Sequence, residues 1–259
     1  MDKQELVYGT RAVIEAARSG RQVEKVFLQA GVTNDLMKEL VQTLKDYSIP
    51  FSWVPAEKLN RLTSKNHQGA VAFLSAIQYA SLQPIIDHAY SEGRVPFLLL
   101  LDRITDVRNF GAVARTCECA DLDAIVMEDK GNAPVTSDAI KTSAGALHHL
   151  PVCRVKSLKQ TMKELRDNGI QVVACTEKAA DDLYSADLSG PTALLLGSEE
   201  DGISAPLLKD ADRLVKIPMK GKIESLNVSV AAGIAIYEVV RQKMAEGRKN
   251  PASGKAAHK

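Results

Sequence analysis

The chain has 259 residues, 45% of them hydrophobic and 25% charged, with 33 basic and 32 acidic side chains and a formal net charge of +1. Such a composition fills an ample core, excludes a disordered or collagen-like chain, and leaves any nucleic-acid binding to a local cluster of basic groups rather than to the total charge. The four cysteines form no Cys-x-x-Cys pair and have no histidine at ligand spacing, so no metal is expected; with no apolar leader and no run near the ~20 residues of a membrane span, the expected setting is cytoplasmic.

Residues 1–76 read as a small α/β domain. Periodicity gives a helix over 10–19, a strand over 25–29, a helix over 34–47, a strand over 51–54, a short helix over 56–62 and a strand over 70–75. Its polar groups Arg11, Arg61, Lys65, Asn66, His67 and Gln68 are either contacts for phosphates and bases or a solvated face. Between 77 and 93 the pattern breaks, with Pro84 and Gly93 flanking one weakly amphipathic stretch over 83–91, which reads as a linker carrying a short helix.

A second α/β domain follows over 94–245. Phe97-Leu-Leu-Leu-Leu101 is apolar at every position, as a strand covered on both faces of a parallel sheet must be, and its end delivers Asp102 and a loop through Asn109. A helix is expected over 111–120, with Arg115 about a turn inside it. That end of a helix already carries partial positive charge, so Arg115 there points to an anionic ligand such as an RNA phosphate, or else is a surface arginine. Further strands are expected over 124–127, 152–155, 171–175, 192–196 and 214–217, with helices over 137–142 and 158–168. The loop Gly197-Ser-Glu-Glu-Asp-Gly202 sets three acids between two glycines, and Pro218-Met219 opens a second loop. Both leave the carboxyl ends of strands, where open α/β sheets bind ligands. From Ser225 or Asn227 as N-cap a helix begins whose Ala231, Ala232, Gly233 and Ala235 admit either a tightly packed neighbour or a partner subunit. After Val240 apolar periodicity ends, and 246–259 is expected to be a disordered, mildly basic tail.

Three groups of these residues carry a family resemblance. Asp102-Arg-Ile-Thr-Asp106-Val-Arg-Asn109-Phe-Gly111 with Arg115, Gly197-x-Glu199-x-x-Gly202, and Ile217-Pro218-Met219 with Ser225-Leu226-Asn227-Val228-Ser229 resemble, in order, the three motifs of the SpoU-type RNA ribose 2′-O-methyltransferases of the SPOUT superfamily. Tyr8-Gly-Thr-Arg11 and His67-Gln-Gly-Ala-Val-Ala72 resemble the ribosomal-protein-like N-terminal domain that many of these enzymes use to bind RNA. The resemblance spans nearly the whole chain. It implies S-adenosyl-L-methionine as cofactor, a homodimer, a C-terminal trefoil knot, and methylation of a ribose hydroxyl, most like a guanosine of 23S ribosomal RNA. Two positions depart from the pattern: Val107 replaces a proline, and Asp121 stands where glycine is common.

On this resemblance the catalytic group is Arg115, Asn109, Glu199, Ser225 and Asn227; Leu196, Gly197, Ile217, Met219 and Leu226 hold the cofactor; and Arg11, Lys65, Asn66 and Gln68 contact RNA. A guanidinium holds its proton too tightly to be a good base, so Arg115 reads better as a clamp on a phosphate beside the target ribose. The alternatives are a transfer-RNA ribose methyltransferase and a catalytically silent RNA-binding or ribosome-assembly factor. A nucleotide hydrolase using the acids at 199–201 lacks a Gly-x-x-x-x-Gly-Lys phosphate loop.

Overall fold

The computed structural model describes residues 6–223 and 225–249. By packing, the chain divides into one unit of Met1–Gln78 with Pro134–Ile140 and another of Tyr79–Ala133 with Lys141–Lys259.

In the first unit, β1 (Leu6–Tyr8), α1 (Thr10–Arg18), β2 (Val23–Gln29), α2 (Asp35–Asp46), β3 (Phe51–Val54), α3 (Ala56–Leu62) and β4 (Ala70–Leu74) follow in order. The sheet runs β1-β4-β2-β3, with β2 and β3 parallel and the other pairs antiparallel. Alternation along β2 turns Val26 and Leu28 inward, where they meet Val13 and Ile14 of α1 and Leu40 and Leu44 of α2. Asn34 starts α2 because its Oδ1 accepts the Met37 N–H at 2.8 Å. The three residues of β1 show no periodicity of their own, and only pairing with β4 makes them a strand.

The second unit holds α4 (Leu82–Ser91), β5 (Phe97–Asp102), α5 (Val107–Cys119), β6 (Ala124–Glu128), β7 (Val152–Val155), α7 (Leu158–Asp167), β8 (Gln171–Cys175), β9 (Asp181–Asp182), β10 (Thr192–Gly197), α8 (Ala205–Asp210), β11 (Arg213–Lys216) and α9 (Val228–Lys249); α6 is Ser137–Thr142. Seven strands form one parallel sheet in the order β7-β6-β5-β10-β8-β11-β9. Every residue of β5 and β10 is buried, as their unbroken apolar runs require. The chain moves one way from β5 through β6 to β7 and is then found on the other side of β5, so a crevice opens beyond the carboxyl ends of β5 and β10. Ile86 of α4 is buried in the core of this unit, so the stretch that reads as part of a linker packs as structure.

Two of the expected helices differ in extent, and α8 was not expected. α5 begins at Val107, not Gly111, because the Asp106 carboxylate accepts both the Arg108 and Asn109 N–H groups, at 2.7 and 2.9 Å. α9 runs to Lys249, well past Val240. Its later polar side chains are anchored: Gln242 donates to the Ala186 carbonyl and accepts the Leu188 N–H, while Lys243 donates to the Val95 carbonyl and stands 4.6 Å over the Phe97 ring. Residues there are also good helix formers, so no apolar stripe is needed to continue the helix. Of the tail expected over 246–259, residues 246–249 instead complete α9, and 250–259 lie outside the described residues.

The end of α5 carries a strained residue. Leu122 N–H reaches back to the Cys117 carbonyl and Asp121 N–H to the Glu118 carbonyl, a closing pattern that puts Asp121 at φ 55, in the left-handed region. A side chain there costs free energy that glycine avoids. Asp121→Gly is expected to raise stability by about 0.5–1 kcal/mol, read as a later midpoint in urea denaturation with unchanged slope.

Candidate active site

The site is built where β10 meets β5. Their parallel register sets Gly197 beside Asp102, at the last residue of each strand. A Cβ on Gly197 would lie 2.2 Å from the Gly202 carbonyl carbon and the Ile203 nitrogen, so the loop folds back directly over the strand end and only glycine fits beneath it. The loop closes on itself through Gly202 N–H to the Ser198 carbonyl at 3.0 Å and Asp201 N–H to Ser198 Oγ at 3.1 Å. Glu199 is left near its tip.

Beside this loop lies a cavity of about 550 Å³ lined by the ends of β8, β10 and β11 and the start of α9. Leu196, Gly197, Ile217, Met219 and Leu226 all line it, as do Glu199 and Ser225. Four carboxylates, Glu177, Glu199, Glu200 and Asp201, face one ammonium, Lys178, so the lining favours a cationic ligand over a phosphate. The half-buried Cys175 thiol at its wall is pushed up to about 12 by desolvation and stays neutral.

Three of the sequence-predicted polar residues come together at the rim. Asn227 Nδ2 donates to Asn109 Oδ1 at 3.0 Å and to Glu199 Oε1 at 2.5 Å, and Glu199 Oε1 also accepts the Val228 N–H at 3.3 Å. The orientation of Asn227 is fixed because its Oδ1 accepts both the N–H and the hydroxyl of Ser229, at 3.0 and 2.5 Å. Those bonds make Asn227, rather than Ser225, the N-cap of α9. One network therefore ties the first turn of α5, the loop after β10 and the first turn of α9.

Arg115 stands apart from this network. With α5 starting at Val107, Arg115 is its ninth residue and lies in the third turn, where the positive end of the helix no longer acts, so the argument from an early-turn position does not hold. Its side chain is exposed, lies six residues (about 9 Å of helix axis) beyond Asn109, and is not part of the cavity lining. Arg108 is the arginine in the first turn. Val107, where the family resemblance expects proline, is the first helical residue; proline there only presets φ, and Asp106 secures the helix start without it.

The cavity residues after β8, namely Thr176, Glu177 and Lys178, escape the sequence reading because they belong to no motif. The available signal is that β8 is itself an apolar strand whose loop opens at the same edge, but its place beside β10 is fixed only by strand order.

In the first unit, Arg11, Lys65, Asn66 and Gln68 are exposed, on the first turn of α1 and on the loop before β4. The two segments are joined: Gly9 N–H donates to the Ala70 carbonyl at 3.0 Å and Thr10 Oγ1 to the Gln68 carbonyl at 2.7 Å. His67 stiffens the loop, with Nδ1 accepting the Gly69 N–H and Nε2 paired with Asn60 Oδ1, both at 3.0 Å.

Comparison with known proteins is consistent across the chain. A family model described as the SpoU rRNA Methylase family matches residues 96–237, and one described as RNA 2′-O ribose methyltransferase substrate binding matches residues 6–80. The protein YacO of Bacillus subtilis (strain 168), described as a TrmH family tRNA/rRNA methyltransferase, is 35% identical over 237 residues, covering 92% of this chain and 95% of that one. Among solved structures, the SpoU methyltransferase AviRb from Streptomyces viridochromogenes, in complex with AdoMet, is 26% identical with a TM-score of 0.59, over 93% of this chain and 90% of that one. A TrmH/SpoU tRNA modifying enzyme of A. aeolicus is 25% identical with a TM-score of 0.54, over 64% of this chain and 88% of that one.

The fit beneath the loop is directly testable. Gly197→Ala is expected to cost about 2–3 kcal/mol in urea denaturation, because the added carbon meets backbone that cannot turn aside as a flexible side chain does. An unchanged midpoint would contradict the close approach.

Proposed function

The chain belongs to the SpoU rRNA methylase family, and on that premise we propose that it transfers a methyl group from S-adenosyl-L-methionine to a ribose 2′-hydroxyl of RNA, a guanosine of 23S ribosomal RNA being the preferred target. The observation that carries this reading is the acidic cavity at the ends of β8, β10 and β11, joined at its rim to the Asn109–Asn227–Glu199 network. A sulfonium cofactor is a cation, and the carboxylates favour it; the same lining disfavours the phosphates of a nucleotide hydrolase.

In the transfer, the bond from sulfur to the methyl carbon breaks as the bond from that carbon to the 2′-oxygen forms, and the hydroxyl proton must leave. The cofactor supplies the activated methyl group. What the chain supplies is position: holding hydroxyl and methyl in line is worth about 7–11 kcal/mol. Leu196, Gly197, Ile217, Met219 and Leu226 hold the cofactor in the cavity, Glu199 and Asn109 orient the Asn227 amide at its rim, and Ser225 shapes the entrance. Arg115 clamps the phosphate beside the target ribose, with the proton leaving through that phosphate or a water. Arg11, Lys65, Asn66 and Gln68 contact RNA through the unit matched by the substrate-binding model.

The ribosomal target is favoured over transfer RNA by that additional N-terminal unit, matched over residues 6–80. A homodimer belongs to the same reading. Val230, Tyr237 and Met244 recur every seventh residue on α9 and are each about half exposed, an apolar stripe that a second copy would cover.

Calorimetry of the full chain with S-adenosylmethionine is expected to show one site per chain, and ribose-methylation mapping in a deletion strain to show one lost mark in 23S RNA. A lost mark in transfer RNA instead would replace the target, and cofactor binding with every mark retained would point to a silent RNA-binding factor. Arg115→Ala is expected to lower turnover by about 100-fold or more with cofactor affinity unchanged, as for removal of a transition-state contact. Arg115→Lys keeps the charge without the two-pronged grip and retains partial activity at the same pH profile. A shift of that profile toward lower pH would instead make residue 115 the base.

A further inference from the structure

Arg103 directly follows β5 and has φ 59, in the left-handed region that glycine adopts freely and a long side chain does not. A residue is held there only when its surroundings over-determine it. The guanidinium meets that condition with four bonds: Nε to Asp102 Oδ1 at 3.2 Å, Nη2 to Asp102 Oδ2 at 3.5 Å and to the Gly202 carbonyl at 3.0 Å, and Nη1 to Asp201 Oδ2 at 3.0 Å. Asp102 is 5% exposed and accepts, through Oδ2, the Ser204 N–H at 2.7 Å. The backbone beyond Arg103 is pinned in turn, since Ile104 N–H donates to Asn132 Oδ1 at 3.0 Å and its carbonyl accepts the Ala133 N–H at 2.6 Å.

We infer that Arg103 is a positioning residue: with Asp102 it latches the loop after β10 to the end of β5, and thereby holds Glu199 against Asn227 and keeps the cavity wall closed. The inference rests on the reading of that cavity as the cofactor site. Arg103 is not part of the lining, but Asp201 and Gly202, which it grips, both are, and Glu199 lies within the same short loop. Its effect therefore passes through the loop and not through contact with a ligand. Glycine would satisfy the backbone at this position without strain, whereas the arginine adds four hydrogen bonds from its side chain.

The test compares wild type with Arg103→Gly, which relieves the backbone and removes the latch, and Arg103→Lys, which keeps one charge and loses the fork. Without ligand, amide exchange of the 198–204 segment is expected to rise about tenfold in Arg103→Gly while the strands of the sheet keep their protection. For methyl transfer, KM for S-adenosylmethionine is expected to rise about tenfold with kcat within about twofold, and Arg103→Lys to recover part of both changes. Unchanged exchange overturns the latch, and faster exchange with unchanged KM overturns its role in positioning. Absence of cofactor binding by the wild type would instead remove the cofactor reading, and the exchange measurement alone then decides whether the latch exists.

Discussion

The structure around the site depends on one close approach, that of the loop after β10 to its own strand end at Gly197. A side chain there would stand 2.2 Å from the backbone of Gly202 and Ile203, so a single missing carbon permits the fold-back. The fold-back in turn brings Glu199 to Asn227 and turns Asp201 and Gly202 toward the end of β5. Because β10 lies between β5 and β8 and in register with β5, the same point sets where the cavity opens.

Around that contact the polar groups divide into those that hold backbone and those that face the cavity. Asp102, nearly buried, is satisfied by Arg103 and the Ser204 amide, as a carboxylate in that position must be. Asp106 is spent on the start of α5, and Asn227 on the start of α9. Asn227 also bridges Asn109 and Glu199, so two helix beginnings and one strand loop meet on one amide. The helix-start amides at the rim are thus taken up by their own caps, while carboxylates line the interior, an arrangement suited to a cationic methyl donor.

The first unit is ordered by different means. Its exposed basic and amide residues lie on two segments stitched by main-chain and hydroxyl bonds, and His67 braces the loop from within by bonding at both ring nitrogens. Held this way, the backbone of both segments stays fixed. The exposed stripe on α9 is of another kind, apolar and regular at a seven-residue spacing.

Much of this was legible in the residues. The apolar runs at Phe97 and Thr192 identify buried parallel strands because only a strand covered on both faces is apolar at every position, and three ordered motifs name the family and pick out part of the cavity lining, Leu196, Gly197, Ile217, Met219 and Leu226 among it. Local signals were weaker where chain partners decide the outcome. The start of α5 was missed because the capping carboxylate of Asp106, five residues before the expected start, outweighs the apolar pattern, and the end of α9 because anchored polar side chains leave no periodicity to read. What only the tertiary structure decided is strand order, hence the presence of Glu177 and Lys178 in the cavity, and the grip of Arg103 on a loop about a hundred residues away. Periodicity records which face of an element is buried, whereas these depend on which elements are neighbours, a property carried by the whole core and by no single segment.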